Sequence, residues 1–230
     1  MNNLLGSSLF FGVFLSIAGY EIGLILKRKF KLSIFNPLMI SIIVVMVVLL
    51  VTKVDYKNYY NGAKYLSYLL TPATVCLAIP LYQQINMLKR HYKAVLGGIV
   101  SGVLASLVSV LLMSLLFHFS HKEYVTLLPK SITTAIGMGV SDELGGIVTI
   151  TVAVIIITGV LGNIIAEMVF KVFHIEESVA KGIALGTSAH AIGTAKAMEF
   201  GEVEGAMSSL AIAVAGLITV IGASIFANFM

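Results

Sequence analysis

Charged residues are scarce in this chain. Only 11% of its 230 residues are Asp, Glu, Lys or Arg, whereas ordinary globular chains carry roughly a quarter. Apolar residues make up 58% of the sequence, and so few charges could not cover that much apolar surface in water. The composition therefore excludes a cytosolic enzyme, an ordinary nucleic-acid-binding protein and a disordered chain.

Cysteines and catalytic motifs are scarce as well. The single cysteine, Cys76, lies in an apolar run, which leaves no intrachain disulfide and no thiolate metal cluster. The sequence has no His-Glu-x-x-His motif, no paired aspartates and no Gly-x-Ser-x-Gly motif. We therefore expect no enzyme activity, no metal and no cofactor.

Long apolar runs dominate what is present. A membrane-spanning helix needs roughly 20 apolar residues, and six runs reach that length. Two other stretches are shorter, less apolar and richer in Gly, Ser and Thr: Val125–Val140 and Val179–Met198. The sequence predicts an all-α polytopic integral membrane protein with two short interrupted or re-entrant segments and six clear transmembrane helices, at about Leu4–Leu26, Ile34–Thr52, Lys64–Leu88, Ala94–Phe117, Leu144–Phe170 and Val203–Phe229.

Basic residues predict the orientation in the membrane. They cluster in Lys27–Lys31 and Lys89–Lys93, and cytoplasmic loops carry an excess of Lys and Arg. This places the N-terminus outside. If Val125–Val140 enters and returns, nine basic residues lie inside and four outside; if it crosses, the division is seven and six. The distribution favours the re-entrant arrangement.

An internal repeat is the next prediction. Ala135–Gly137 recurs as Ala191–Gly193, and the acidic-apolar-Gly pattern of Glu143–Gly145 recurs as Glu199–Gly201, both 56 residues later. We interpret 1–230 as one domain with N-terminal helices in 1–124 and two repeat units in 125–230. Copies with opposite topology are common in secondary transporters. The alternative is a chance match between apolar segments of low complexity.

Two prolines interrupt one predicted span. Pro72 and Pro80 lie within Tyr68–Tyr82, and proline removes a backbone donor and kinks a helix. Freed carbonyls at membrane depth need a protein partner or a water-filled cavity. Thr71 and Thr74 are therefore candidates for lining a substrate site, and a simple packing kink is the alternative.

A polar cluster follows Leu127. Pro129 suits the first turn of a helix, and the next residues supply an ammonium and hydroxyl groups: Lys130, Ser131, Thr133 and Thr134. Free amides at a helix start attract anions, so the cluster is a candidate carboxylate site. In the alternative, Lys130 extends to the lipid headgroups and the hydroxyls bond to helix carbonyls.

The second polar segment contributes Ser188, His190 and Thr194 to the predicted substrate site. His190 titrates in the range needed to carry a coupling proton, and in the alternative a neighbouring carbonyl satisfies its ring. Glu143 and Glu199 occupy equivalent repeat positions. They are candidates for gating or coupling, with solvated loop charges as the alternative.

Three stretches, Leu69–Tyr82, Leu127–Gly146 and Lys181–Ala211, resemble the LrgB/CidB family of bacterial membrane proteins, to which the plastidial glycolate/glycerate translocator is related. The resemblance implies a multi-pass protein of the bacterial cytoplasmic membrane that works with a small LrgA/CidA-like membrane protein; homo-oligomerisation stays open. It implies either transport of small monocarboxylates such as pyruvate or glycolate, or antiholin-like modulation of murein hydrolase activity and cell lysis. We expect the transporter, with the lysis modulator as the alternative.

Overall fold

The structure is a computed structural model, and it describes residues 9–30, 35–69, 72, 75–76, 78–83 and 85–230. These residues form helices and the turns that join them, with no strand among them. The all-α prediction is confirmed for this part of the chain. Thr71 and Thr74 lie outside the described residues.

The helices follow one another with short connections. In chain order they are α1 (Leu9–Phe30), α2 (Pro37–Thr52), α3 (Tyr56–Ser67), α4 (Ala78–Gln83), α5 (Ile85–Leu116), α6 (His121–Leu127), α7 (Thr134–Glu143), α8 (Val148–Val172), α9 (Ser178–Phe200) and α10 (Glu202–Phe226), and a 3₁₀ turn at Ala227–Phe229 ends the chain. Helix α5 contains a kink at His91.

Four of the described helices are long and apolar enough to cross a membrane: Phe10–Phe30, Lys89–Leu116, Val148–Val172 and Glu202–Phe229. Helix α2 is equally apolar but has only 16 residues. Within the predicted 64–88 span, α3 ends at Ser67 and a turn follows at Tyr68 and Leu69, and the described residues beyond this turn are helical. The count of six spans therefore stays a prediction.

The chain divides into two compact units, residues 1–76 and 77–230. In the first unit, α1 packs against both α2 and α3. Ser16 joins the three helices, because its hydroxyl lies 2.8 Å from the Tyr59 hydroxyl and its carbonyl accepts from Ser41 Oγ at 3.3 Å. Close approach of α1 and α2 requires glycine at position 23, where a Cβ would lie 2.7 Å from Pro37 Cα.

In the second unit, α6 and α7 form a helical hairpin in which the chain before the turn and the chain after it end side by side. Thr126, near the end of α6, accepts from the Ile147 amide at 2.8 Å through its hydroxyl and from Thr151 Oγ1 at 2.9 Å through its carbonyl. Thr151 Oγ1 also lies 2.7 Å from Ser141 Oγ in α7, whose hydroxyl can donate to it. Since both ends of the 127–146 stretch meet here, the turn at 128–133 is the tip of the hairpin.

Helix α9 also folds back on itself. His190 has φ 42° and ψ −133°, which breaks the helix. A Cβ on Gly193 would meet the carbonyl oxygen of Leu185, although residues eight apart in a straight helix are separated by about 12 Å. Ser208 of α10 contacts both arms, at Gly186 and, through a 2.8 Å hydroxyl contact, at Thr194. His190 is therefore the tip of a second hairpin.

The two hairpins enter the second unit from opposite ends. At one end, called here the Met230 end, His121 Nδ1 lies 2.7 Å from the Met230 carbonyl oxygen and Tyr124 Oη donates to the Phe226 carbonyl at 2.9 Å. At the other, the Gly201 end, Gly182 of α9 packs against the Glu204 carbonyl at the start of α10. Helix α10 runs from the Gly201 end to the Met230 end.

The hydrophobic core of the second unit extends along α5 and α10, with additions from α6, α7 and α9. Val95 and Met207 lie toward the Gly201 end, whereas Tyr124, Val125 and Leu128 pack around the first hairpin. The core therefore joins the first hairpin to the long helices of the unit.

Candidate substrate cavity

A cavity of about 1420 Å³ lies between α5, α8 and α9. Near the Gly201 end its walls include His91, Phe170, Glu177 and Val203. It reaches inward to the tip of the first hairpin, where four polar residues line it: Ser106, Ser109, Lys130 and Ser131. Ser106 precedes the end of α5 by ten residues, or about 15 Å of helix, which is half of a hydrocarbon layer about 30 Å thick. The polar inner end is therefore at mid-membrane depth.

An ammonium and two hydroxyls form this inner end. Lys130 Nζ donates to Ser131 Oγ at 3.1 Å, and Ser106 Oγ donates to the same oxygen at 3.0 Å. Ser131 is only 7% exposed, and Lys130 is half-buried. Among the described residues, no carboxylate lies within ion-pairing distance of Lys130. An unpaired charge at this depth is costly, so Lys130 is a candidate for an ion or substrate site.

Three residues of the predicted site, Lys130, Ser131 and Ser188, line the cavity. The Ser188 hydroxyl donates to the Ala184 carbonyl at 2.6 Å, as serine in a helix commonly does. The structure does not place the other described members of the predicted site in the cavity wall: Pro129, Thr133, Thr134, His190 and Thr194.

The predicted helix start at Pro129 is wrong. Pro129 and Lys130 lie in the turn at 128–133, where the Lys130 amide donates to the Leu127 carbonyl and the Ile132 amide to the Pro129 carbonyl. Helix α7 begins at Thr134, with Thr133 in the N-cap position but making no side-chain cap hydrogen bond. Proline is favoured in the first turn of a helix, but here Pro129 lies in the tight turn at the hairpin tip.

His190 holds the second hairpin in place. Its ring is 3% exposed, and Nε2 donates to the Ile155 carbonyl of α8 at 3.0 Å. Gly159 leaves the space for this ring, since a Cβ there would lie 2.8 Å from His190 Cε1. A carbonyl therefore satisfies Nε2, as the alternative interpretation expects, and a coupling role for His190 stays a prediction. The Thr194 hydroxyl bonds the His190 carbonyl at 3.1 Å, so it stabilises the same tip.

The two acidic candidates lie at opposite ends of the second unit. Glu199 Oε2 accepts from Lys196 Nζ at 3.0 Å, and Glu167 Oε1 accepts from the same ammonium at 2.6 Å. The Lys196 ammonium also lies 5.0 Å from the Phe200 ring centroid. Glu143 is exposed at the end of α7. A gating or coupling role for Glu143 and Glu199 stays a prediction.

Sequence reasoning missed the contribution of α5 to the cavity. Small residues at spacings of three to four form one wall: Gly98, Gly102, Ala105, Ser106 and Ser109. Within an apolar span this stripe looks like a surface for close helix packing. The signal that could have distinguished it was the pair of serines on the same face, because hydroxyls at membrane depth need a partner or a cavity.

The fold and cavity define a class: a multi-pass helical membrane protein with a polar site inside its bundle. The LrgB-like family model matches residues 16–229, so the chain belongs to this family. Similar relatives include the antiholin-like protein LrgB of Bacillus mycoides strain KBAB4, 36% identical over 222 residues, and that of Bacillus cereus strain B4264, 35% identical over 222 residues; each match covers 96% of both chains. No solved structure matches.

Proposed function

We propose that this chain transports small monocarboxylates such as pyruvate or glycolate across the bacterial cytoplasmic membrane. The observation that carries the proposal is the Lys130 ammonium, which lies beside Ser131 at the inner end of the cavity without a carboxylate partner among the described residues. One cation and one hydroxyl donor match the two oxygens of one carboxylate. A second negative charge on the substrate would have no such partner at this end.

The backbone supports transport rather than simple helix packing. The 56-residue offset of the sequence repeat also separates Thr134, where α7 begins, from His190, where α9 breaks. Hairpins that enter from opposite ends are expected of an inverted repeat, the plan of many secondary transporters. The buried packing of Tyr124, Val125 and Leu128 closes the Met230 end, as expected of one state of an alternating-access cycle.

The same arrangement supports an orientation. Lys89–Lys93, Lys171 and Lys181 belong to segments at the Gly201 end, whereas Lys122 is at the Met230 end. Because cytoplasmic loops are rich in basic residues, we assign the Gly201 end of the second unit to the cytoplasm. For the first unit, the Lys27–Lys31 cluster predicts by the same rule that the N-terminus lies outside. In this orientation the cavity extends from the cytoplasmic side to the middle of the membrane.

A second candidate function is antiholin-like modulation of murein hydrolase activity and cell lysis. The names of the relatives favour it more directly than they favour transport. An LrgA/CidA-like small membrane protein is the partner we propose for either function. Lysis control needs only helices and contact faces, so it leaves the unpaired Lys130 and the polar end of the cavity without a role.

A binding measurement on Lys130→Gln tests the transport proposal. A hydrogen bond to a charged group contributes about 1.5–3 kcal/mol, and 1.4 kcal/mol is tenfold in affinity. Loss of the ammonium should therefore weaken pyruvate binding to the purified protein about ten- to a hundredfold. Lys122→Gln, at the exposed Met230 end, is the matched control and should bind as the wild type does. Equal affinities for all three proteins would refute the proposal.

The same variants separate the two candidate functions in cells. Wild type and Lys130→Gln are expressed in a strain that lacks its own LrgB-like protein, and murein hydrolase activity is measured. If lysis control depends on substrate movement, Lys130→Gln loses it together with binding. If Lys130→Gln loses binding but keeps full control of the hydrolases, the antiholin-like function is independent of the cavity.

A further inference from the structure

The Ser131 hydroxyl has an unusual hydrogen-bond arrangement. A serine hydroxyl offers one donor and two acceptor lone pairs. Ser131 Oγ accepts from Lys130 Nζ at 3.1 Å and from Ser106 Oγ at 3.0 Å, so both lone pairs are occupied. The remaining O–H has no acceptor among the described residues, although the side chain is only 7% exposed and lines the cavity. A buried donor of this kind needs an acceptor from a ligand or water.

Ser106 is the residue that fixes this arrangement. Lys130 alone would occupy one lone pair and leave Ser131 able to accept from a ligand N–H. Because Ser106 donates from α5 to the second lone pair, the Lys130 ammonium and the Ser131 hydroxyl present only donors to the cavity. Two neighbouring donors suit the two acceptor oxygens of a carboxylate. A neutral amide of the same shape would turn its own N–H₂ group toward one of the two donors, and two donors do not form a hydrogen bond with each other.

We propose that Ser106 is a specificity-determining residue, which makes Ser131 a fixed donor and thereby selects carboxylates over their neutral amides. This inference rests on the transport proposal and names the group that sets its selectivity. Ser106 need not touch the substrate, so it is a positioning residue. Its removal should change the ratio of two affinities rather than abolish binding.

The test compares pyruvate with pyruvamide on the full-length protein in lipid nanodiscs. Dissociation constants are measured for both compounds with wild type, Ser106→Ala and Ser106→Thr. Ser114→Ala is the matched control: the same substitution on the same helix, at a buried hydroxyl that finds no hydrogen-bond partner among the described residues and lies outside the cavity wall. A thermal midpoint for each protein shows that it is folded.

The expected result is a fall of about tenfold in the preference for pyruvate over pyruvamide in Ser106→Ala. Ser106→Thr keeps a hydroxyl and should restore the preference, and Ser114→Ala should retain it. Wild-type binding of pyruvate with an unchanged ratio in Ser106→Ala overturns this inference alone. If the folded wild type binds neither compound, the transport proposal fails, and the inference falls with it.

Discussion

Substituting Gly159 by alanine should destabilise the second hairpin through the His190 ring. A Cβ at this position would lie 2.8 Å from His190 Cε1, 2.9 Å from His190 Nε2 and 2.8 Å from Ile192 Cδ1. The ring would have to move, and its 3.0 Å hydrogen bond to the Ile155 carbonyl would be lost. His190 adopts a positive φ, which a non-glycine residue keeps only while its surroundings hold it there.

The magnitude follows from these contacts. Overpacking costs about 1–3 kcal/mol, and a buried polar group that loses its partner costs about 1–3 kcal/mol. The higher helix propensity of alanine offsets about 0.5–1 kcal/mol of this loss. We expect the free energy of unfolding to fall by about 1–5 kcal/mol, and amide hydrogen exchange to rise at residues 186–196.

The assay is thermal unfolding in detergent, with hydrogen exchange to locate the effect. Gly97→Ala is the matched control, because it is a helical glycine with no atom within 4 Å of an added Cβ; it should be neutral or slightly stabilising. In a His190→Gly background, which removes the ring and suits a positive φ, Gly159→Ala should cost much less. Equal midpoints for Gly159→Ala and Gly97→Ala, or additive effects in the double variant, would refute the account of this tip.

Three further predictions concern the cavity, the first hairpin and the orientation. Ser131→Ala should weaken pyruvate binding about tenfold or more, and more than Ser188→Ala, whose hydroxyl already donates to a helix carbonyl; equal losses would contradict this. Thr151→Val keeps the shape of the side chain but removes a hydroxyl that is hydrogen-bonded at the base of the first hairpin. The thermal midpoint should therefore fall by the equivalent of about 1–3 kcal/mol. An unchanged midpoint would show that the hydroxyl network is dispensable. In a background without the native cysteine, Lys171→Cys and Lys181→Cys should react with an impermeant maleimide in inside-out vesicles only, and labelling from outside cells would reverse the orientation.

Composition and local pattern predicted the helices because lipid imposes a simple rule: a spanning helix must be long and apolar. The sequence also identified both polar segments, since Gly, Ser and Thr are unfavourable over a whole lipid-facing helix. It could not locate the exact reversal. Pro129 satisfies the rule for a helix start, but the chain turns at 128–133 and α7 begins at Thr134.

Local sequence patterns could not predict hydrogen-bond partners that lie on other helices. The partner of the His190 ring is the Ile155 carbonyl of α8, 35 residues earlier in the chain, and no local pattern around His190 indicates it. Ser106 was missed for the same reason. Its role depends on Ser131, a residue on another element, and the local sign of a cavity wall was the presence of two serines, Ser106 and Ser109, on one face.

The central claim is that the polar cavity moves a carboxylate, and uptake into liposomes tests it most directly. Radiolabelled pyruvate is offered to vesicles that contain this chain alone, this chain with an LrgA-like partner, or no protein, while an encapsulated dye reports leakage. The account predicts saturable uptake whose half-saturation concentration Lys130→Gln raises about ten- to a hundredfold, with the dye retained. No saturable uptake with or without the partner, or pyruvate entry that occurs only together with dye release, would contradict it.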